Sequence, residues 1–251
     1  MNESRICVLS GRYPMSGFSS IYNHRAYCNQ HGYTYINCSW PTGERNPYLN
    51  KIAFIREYFD LFDHIFWIDD DAFFMNLEKP LTEFLAADNQ FLSICASPTF
   101  KGLKTFFSSG QFDLRCSELG RGFLQAVMTI EDETVKNWWR EDYGFYTGGD
   151  QDRMVYLCNT EARFKDAFAL RDYKQFNSRV ANLFGEDPHE IFILHFTGSK
   201  RKKRTDYARV QKFLGRGPSL LKAEHLESLK LQAPFLRRAF RFLLSKGGIG
   251  V

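Results

Sequence analysis

The stretch His64-Ile65-Phe66-Trp67-Ile68-Asp69-Asp70-Asp71-Ala72-Phe73-Phe74 (64–74) sets three carboxylates between two strongly apolar flanks. HIFWI is a largely apolar run of parallel-sheet type, in which a strand is covered on both faces and so does not alternate. Three like charges directly after it are unfavourable unless a cation or a set of donors meets them there. Outward from this point, RICVLSGRYP (5–14) reads as a buried strand opening into a loop at Ser10 and Gly11. SSIYNHRAYCNQHGY (19–33) has helical spacing and stops at Gly32. TYINCSW (34–40) reads as a second strand, and NPYLNKIAFIREYFDLF (46–62) as a helix with apolar residues at 52, 55, 58, 59 and 62. Strand, helix, strand, helix, strand within 70 residues predicts an α/β doubly wound sheet. Ligands of such sheets bind beyond the carboxyl ends of strands, which is where the aspartates fall.

The 251 residues, 44% hydrophobic and 25% charged, suit one large globular domain. No apolar run reaches membrane-spanning length, and MNESRICVLS is too short and too acidic for a secretory leader, so a cytoplasmic protein is expected. Six scattered cysteines form no C-x-x-C pair, which argues against a zinc or redox motif and for free thiols. The net charge of +4 conceals an asymmetry: residues 199–251 hold 14 Lys/Arg against 3 Asp/Glu, leaving 19 basic and 26 acidic residues in 1–198. The organisation expected is a catalytic domain over 1–198 and a basic helical extension over 199–251. Further along lie a strand at 91–98, a Gly/Ser loop at 108–110, helices near 117–130 and 150–158, and a strand at 190–196.

Asp69 and Asp71 form a D-x-D pair, two carboxylates that a strand-end turn can aim at one hard divalent cation. A cation held there bridges the phosphates of a nucleotide diphosphate and stabilises it as a leaving group. ILHFTGSK (193–200) supplies His195 as a third metal ligand, Gly198 for close backbone approach to a phosphate, and Lys200 as a positive charge. An acidic triplet by itself is also a common solvated loop; the apolar flanks are what favour a cleft.

Four blocks in order, YLNKIAFIREYFDLFDHIFWIDDDAFFMN (48–76), SSGQFDLR (108–115), GGDQDRMVYL (148–157) and HFTGSK (195–200), resemble a family of retaining glycosyltransferases. It includes plant xyloglucan α-xylosyltransferases, galactomannan α-galactosyltransferases and yeast Golgi α-mannosyltransferases. The resemblance spans roughly residues 5 to 200 and implies a GT-A fold: a Rossmann-like, mostly parallel sheet flanked by helices. It also implies Asp69, Asp71 and His195 as metal ligands for Mn²⁺ or Mg²⁺. The donor-binding positions expected are Ser10, Gly11, Lys51, Asp69, Asp70, Ser109, Gly110, Gly198 and Lys200. The resemblance implies Asp150 and Gln151 near the reacting carbon as the catalytic pair. The expected partners are a nucleotide-sugar donor, UDP-linked with galactose as first choice, and a glycan or lipid-linked glycan acceptor such as a capsule or lipopolysaccharide precursor. Asp70 stands where the family has a smaller residue, and either touches the ribose or only adds charge. Ser199 replaces the family's cysteine, and the missing N-terminal anchor suggests a bacterial or viral member.

Read as a helix, PFLRRAFRFLLSK (234–246) puts Phe235, Phe242 and Leu243 on one side and Arg237, Arg238 and Arg241 on the other. It either lies on an anionic membrane at the inner face or packs on the domain. A nucleic-acid partner is not expected, because the body is acidic and no recognition fold is signalled. Two other functions fit less well. A nucleotidyltransferase would carry a better phosphate loop than LSGRYPMSG (9–17), and a non-catalytic anionic lipid- or glycan-binding module would not keep Asp69, Asp71, His195 and Lys200 together.

Overall fold

The computed structural model describes residues 4–229 apart from 101, 102, 105 and 186; the amphipathic segment at 234–246 lies outside them. In chain order the elements are β1 (Ile6–Gly11), α1 (Ser20–His31), β2 (Thr34–Cys38), α2 (Asn50–Tyr58), β3 (His64–Ile68), β4 (Ala72–Phe74), β5 (Leu92–Cys95), β6 (Thr99–Phe100), β7 (Leu103–Lys104), β8 (Gln111–Arg115) and α3 (Glu118–Thr129). They continue as α4 (Asp132–Trp138), α5 (Asp150–Thr160), α6 (Ala162–Lys165), β9 (Phe168–Arg171), α7 (Tyr173–Phe176), β10 (Ser178–Arg179), α8 (Val180–Gly185), β11 (Ile193–His195), α9 (Lys200–Leu214) and α10 (Ala223–Ser228).

Six strands form the main sheet in the order β2-β1-β3-β8-β5-β9. The sheet is mostly parallel: β1 pairs parallel with β2 and β3, and β5 parallel with β9. Strand β8 runs antiparallel between β3 and β5. The predicted α/β class therefore holds, with one reversed strand that the sequence reading did not separate from the Gly/Ser loop before it.

Every residue of β3 is buried, and the strand divides by parity. Ile65 and Trp67 enter the core beneath α2, α3 and α5, with Ile52, Ile55, Phe123 and Met154. Phe66 and Ile68 enter the opposite core with Tyr27, Phe74, Phe84 and Phe192. Burial on both faces is why HIFWI is apolar without alternation, and each large side chain so buried contributes about 2 kcal/mol.

The strand expected at 190–196 is β11, and it belongs to a second sheet of three short strands ordered β10-β11-β4. Its antiparallel pairing with β4 puts His195 opposite Ala72. Helix α9 is capped by Ser199, whose hydroxyl accepts from the Lys202 N–H, and ends at Gly215 in the left-handed region. It packs on the small sheet through Val210, Tyr207 and Leu214 against Phe73, Leu194 and Phe196. No helix among the described residues is long and apolar enough to cross a membrane. All six cysteines are free.

Candidate active site

Strand β3 stops where the Asp69 N–H donates to the Gly110 carbonyl at 2.8 Å, and the chain turns back as the Ala72 N–H reaches the Asp69 carbonyl at 3.0 Å. The three aspartates occupy this turn between β3 and β4. A turn points successive side chains in different directions, and here each meets its own partners.

Asp71 points inward. His195 Nε2 lies 3.2 Å from Asp71 Oδ1, and Lys203 Nζ is ion-paired with Asp71 Oδ2. His195 Nδ1 is 2.9 Å from Asn177 Oδ1, and Arg179 Nη1 lies 2.9 Å from the same ring nitrogen. Burial lowers the basicity of His195 and outweighs the Asp71 carboxylate, which acts in the other direction. Burial also pushes the Asp71 carboxyl up, but the charges and hydrogen bonds of His195 and Lys203 outweigh it and hold the group below the usual range. Where Nδ1 accepts from Arg179, Nε2–H donates to Asp71 Oδ1; where Nδ1–H donates to Asn177, the Nε2 lone pair faces that oxygen instead. Two facing acceptors are the arrangement a cation satisfies, and a second group fixing the far ring nitrogen is what metal-ligating histidines have.

Ligand atoms of Asp69, Asp71 and His195 all lie within 4.8 Å of one another. Two carboxylate oxygens and an imidazole nitrogen suit Mn²⁺ or Mg²⁺. Gly110 makes the convergence sterically feasible: a Cβ there would stand 2.6 Å from His195 Cε1 and 3.3 Å from Asp69 Oδ2.

Asp69 has a different set of partners at its Oδ1. Trp67 Nε1 donates to its Oδ1 at 2.7 Å, and Lys51 Nζ lies 3.3 Å from the same oxygen. Lys51 also stands 3.1 Å from Asp150 Oδ2 and donates to the Ser109 carbonyl at 2.6 Å. Burial works against the Lys51 ammonium, yet Asp150 and Asp69 together raise its pKa, so it stays charged. Asp150 opens α5, whose N-terminal dipole favours a carboxylate. Gln151 follows it and accepts from the Ser109 N–H through Oε1 at 3.2 Å. The loop ahead of α5 is held by Asp152, which accepts from the N–H groups of Thr147 at 2.5 Å and Gly148 at 2.6 Å.

Asp70 faces a third side. Its carbonyl accepts from the Ser20 hydroxyl at 2.7 Å, and its carboxylate lies 3.9 Å from Arg12. Burial, with Asp71 and Asp69 adding, pushes its pKa up to about 6. Arg12, Ser16, Asn37, Ser39 and Asp70 line a small cleft beside β1 and β2.

Of the residues singled out in the sequence, Asp69, Asp71, His195, Lys51, Asp150, Gln151, Ser109 and Gly110 are thus brought together. Ser10 is buried in β1, and Gly11 serves the sheet, where an added Cβ would stand 2.2 Å from the Cys38 carbonyl of β2. Gly198 has φ +101 and is exposed. Lys200 is exposed at the first position of α9, and Lys203, three residues on, is the lysine that reaches Asp71. Sequence reading passed over Lys203, Asn177, Arg179, Trp67 and Asp152. The KRKKR run signals a cation near Lys203 without saying which side chain turns inward. Asn177 and Arg179 sit beside or in a two-residue strand that leaves no periodicity to read.

Residues 15–96 match the model of the galactosyl transferase GMA12/MNN10 family, a span that takes in α1 to β5 and the aspartate turn. Among solved structures, the chain is similar to a glycosyltransferase involved in the glycosylation of the major capsid of PBCV-1. The two are 17% identical, cover 80% of this chain and 98% of that one, and superpose with a TM-score of 0.56. The glycosyltransferase GlyE of Streptococcus pneumoniae TIGR4 is 13% identical with a TM-score of 0.49, and this chain spans 64% of its length. No curated protein matches the chain. The architecture is that of GT-A-like glycosyltransferases, and the family match supports glycosyl transfer as the chemistry.

Proposed function

We propose that the protein is a metal-dependent, retaining glycosyltransferase. It moves a hexose or pentose, galactose as first choice, from a UDP-linked donor to a glycan acceptor such as a capsule or lipopolysaccharide precursor, forming an α-linkage. The observation that carries this reading is the convergence of Asp69, Asp71 and His195 within 4.8 Å at the carboxyl end of β3, with Asp150 bridged to Asp69 by Lys51.

Asp69, Asp71 and His195 would hold the divalent cation, Mn²⁺ or Mg²⁺. When bound, it supplies positive charge against the diphosphate and stabilises the leaving group. Lys203, 24% exposed at the same carboxylate, adds a second positive charge on that side. The cleft of Arg12, Asn37 and Asp70 takes the nucleoside, so the sugar extends toward Lys51 and Asp150. Lys51 is ion-paired with Asp150, and Asp150 with Gln151 stabilises positive charge developing at the anomeric carbon. The acceptor hydroxyl then attacks on the face the leaving group vacates, which retains configuration. Lys200, Arg201 and Arg204, exposed on α9, add a basic surface suited to an anionic lipid-linked acceptor.

Incubation with a panel of nucleotide sugars, followed by NMR of the released sugar, tests this. Release of the α-anomer from a UDP-sugar in Mn²⁺ and none in EDTA is the expected result. Release of the β-anomer would remove retention, and no release from any donor would count against the transferase reading.

A further inference from the structure

Tyr48 is a large aromatic side chain left 56% exposed at the edge of the candidate site, and its setting is specific. It lies in a short helical turn, Pro47–Leu49, that leads into α2 and so stands three residues before Lys51. Asn46 caps this turn, accepting from the Tyr48 N–H at 3.1 Å through Oδ1. Its Nδ2 also donates to the Gly148 carbonyl at 2.9 Å, which ties the turn to the loop carrying Asp150. Tyr48 then presses on Gly149: a Cβ at that glycine would stand 3.3 Å from Tyr48 Cγ and 3.5 Å from Tyr48 Cβ. The ring is therefore held against the backbone of the residue preceding Asp150, and no other ring among the described residues packs on it.

An exposed, positioned aromatic face beside a carboxylate suits a pyranose ring, whose C–H face packs on the ring while its hydroxyls stay hydrated. The contacts also give a direction. The Arg12–Asp70 cleft lies at the residue after Asp69, Lys51 bridges Asp69 to Asp150, and Gly149, the residue before Asp150, packs on Tyr48. A donor whose nucleoside starts in the cleft brings its anomeric carbon to Asp150, so what lies beyond, on Tyr48, is the acceptor. We infer that Tyr48 is the acceptor-sugar platform, a specificity-determining contact for a pyranose ring next to Asp150; this rests on the glycosyltransferase reading above.

Saturation-transfer NMR on the full chain with Mg²⁺ and UDP tests it, using the methyl α-D-glycosides of glucose, galactose and mannose as probes. At least one glycoside should receive saturation. Tyr48→Ala should weaken that signal about fivefold, and Tyr48→Phe should keep it. The ratio of UDP-galactose to UDP affinity should be the same in Tyr48→Ala as in the unmodified chain. If Tyr48→Ala changes that ratio and leaves glycoside binding intact, the platform serves the donor sugar and the inference is overturned. Absence of glycoside binding in a chain that binds UDP overturns it as well. A chain that fails to bind UDP at all overturns the proposed function, and the platform with it.

Discussion

Asp71 and Asp69 leave the same turn two residues apart, yet their side chains are 4% and 30% exposed. The inner carboxylate is enclosed by elements from the far end of the chain: His195 on β11, Lys203 on α9, and behind them Asn177 and Arg179. The outer one is held by Trp67 of β3 and by Lys51 of α2, which also reaches Asp150 of α5 and the Ser109 carbonyl, and it is more open to solvent. Charge follows the same division. The inner group sets one carboxylate against Lys203 and Arg179 around a neutral imidazole, whereas the outer group sets two carboxylates against Lys51 alone. The enclosed half fixes geometry and the open half leaves room and negative charge for a cation and its ligand. A site that binds and releases a substrate needs both.

Three substitutions sharpen this contrast. Asp71→Asn keeps shape, removes the buried charge and takes away one metal ligand. Sugar transfer should fall about a thousandfold, measured at saturating donor and Mn²⁺, with circular dichroism unchanged. Wild-type turnover in this variant would remove the metal site from the inner half. Lys51→Met acts on the outer half and leaves Asp69 and Asp150 facing each other without their ammonium. A drop in kcat of about a hundredfold is expected, with a loss of about 3 kcal/mol in denaturant unfolding. If instead kcat holds while only stability falls, Lys51 is a structural strut.

Asp70→Asn should have the smallest effect on activity and a distinctive effect on stability. The folded pKa of about 6 lies above the ordinary carboxyl value, so the folded chain binds this proton more tightly than the unfolded one. Stability is therefore lost as pH rises from about 4 to 6, and the deficit is complete above 6, at about 3 kcal/mol. In metal-free buffer the Asn variant should be more stable at pH 7.5 and equal to the parent at pH 3.5. Equal stability at both would show that Asp70 is not held in a desolvated setting.

How much of this was legible depended on how local each cause is. HIFWI and the two preceding strand–helix units could be read because burial on both faces of β3 leaves a continuous apolar run. His195 could be marked as a third ligand for the aspartates, but the pairing that brings it there could not be read: β4 has three residues, too few for any period, and the β4–β11 pairing puts His195 beside the aspartates. The reversed strand β8 carries an apolar pattern that serves either direction. Lys51, Asp150 and Gln151 came from family resemblance alone, since a lysine on a helix and an aspartate at a helix start are ordinary features. Lys203 could not be singled out within 200–204 as the lysine at Asp71, because the helical phase of α9 beyond its Ser199 cap decides which lysine turns inward.

The central claim is that Asp69, Asp71 and His195 form a metal site that serves a nucleoside diphosphate. Thermal unfolding of the full chain with UDP, with Mn²⁺, with both, and with UTP and Mn²⁺ tests it most directly. The account predicts a large upward shift only when UDP and Mn²⁺ are present together, and its loss in His195→Ala. Equal stabilisation by UDP in EDTA, or a larger shift with UTP than with UDP, would contradict it.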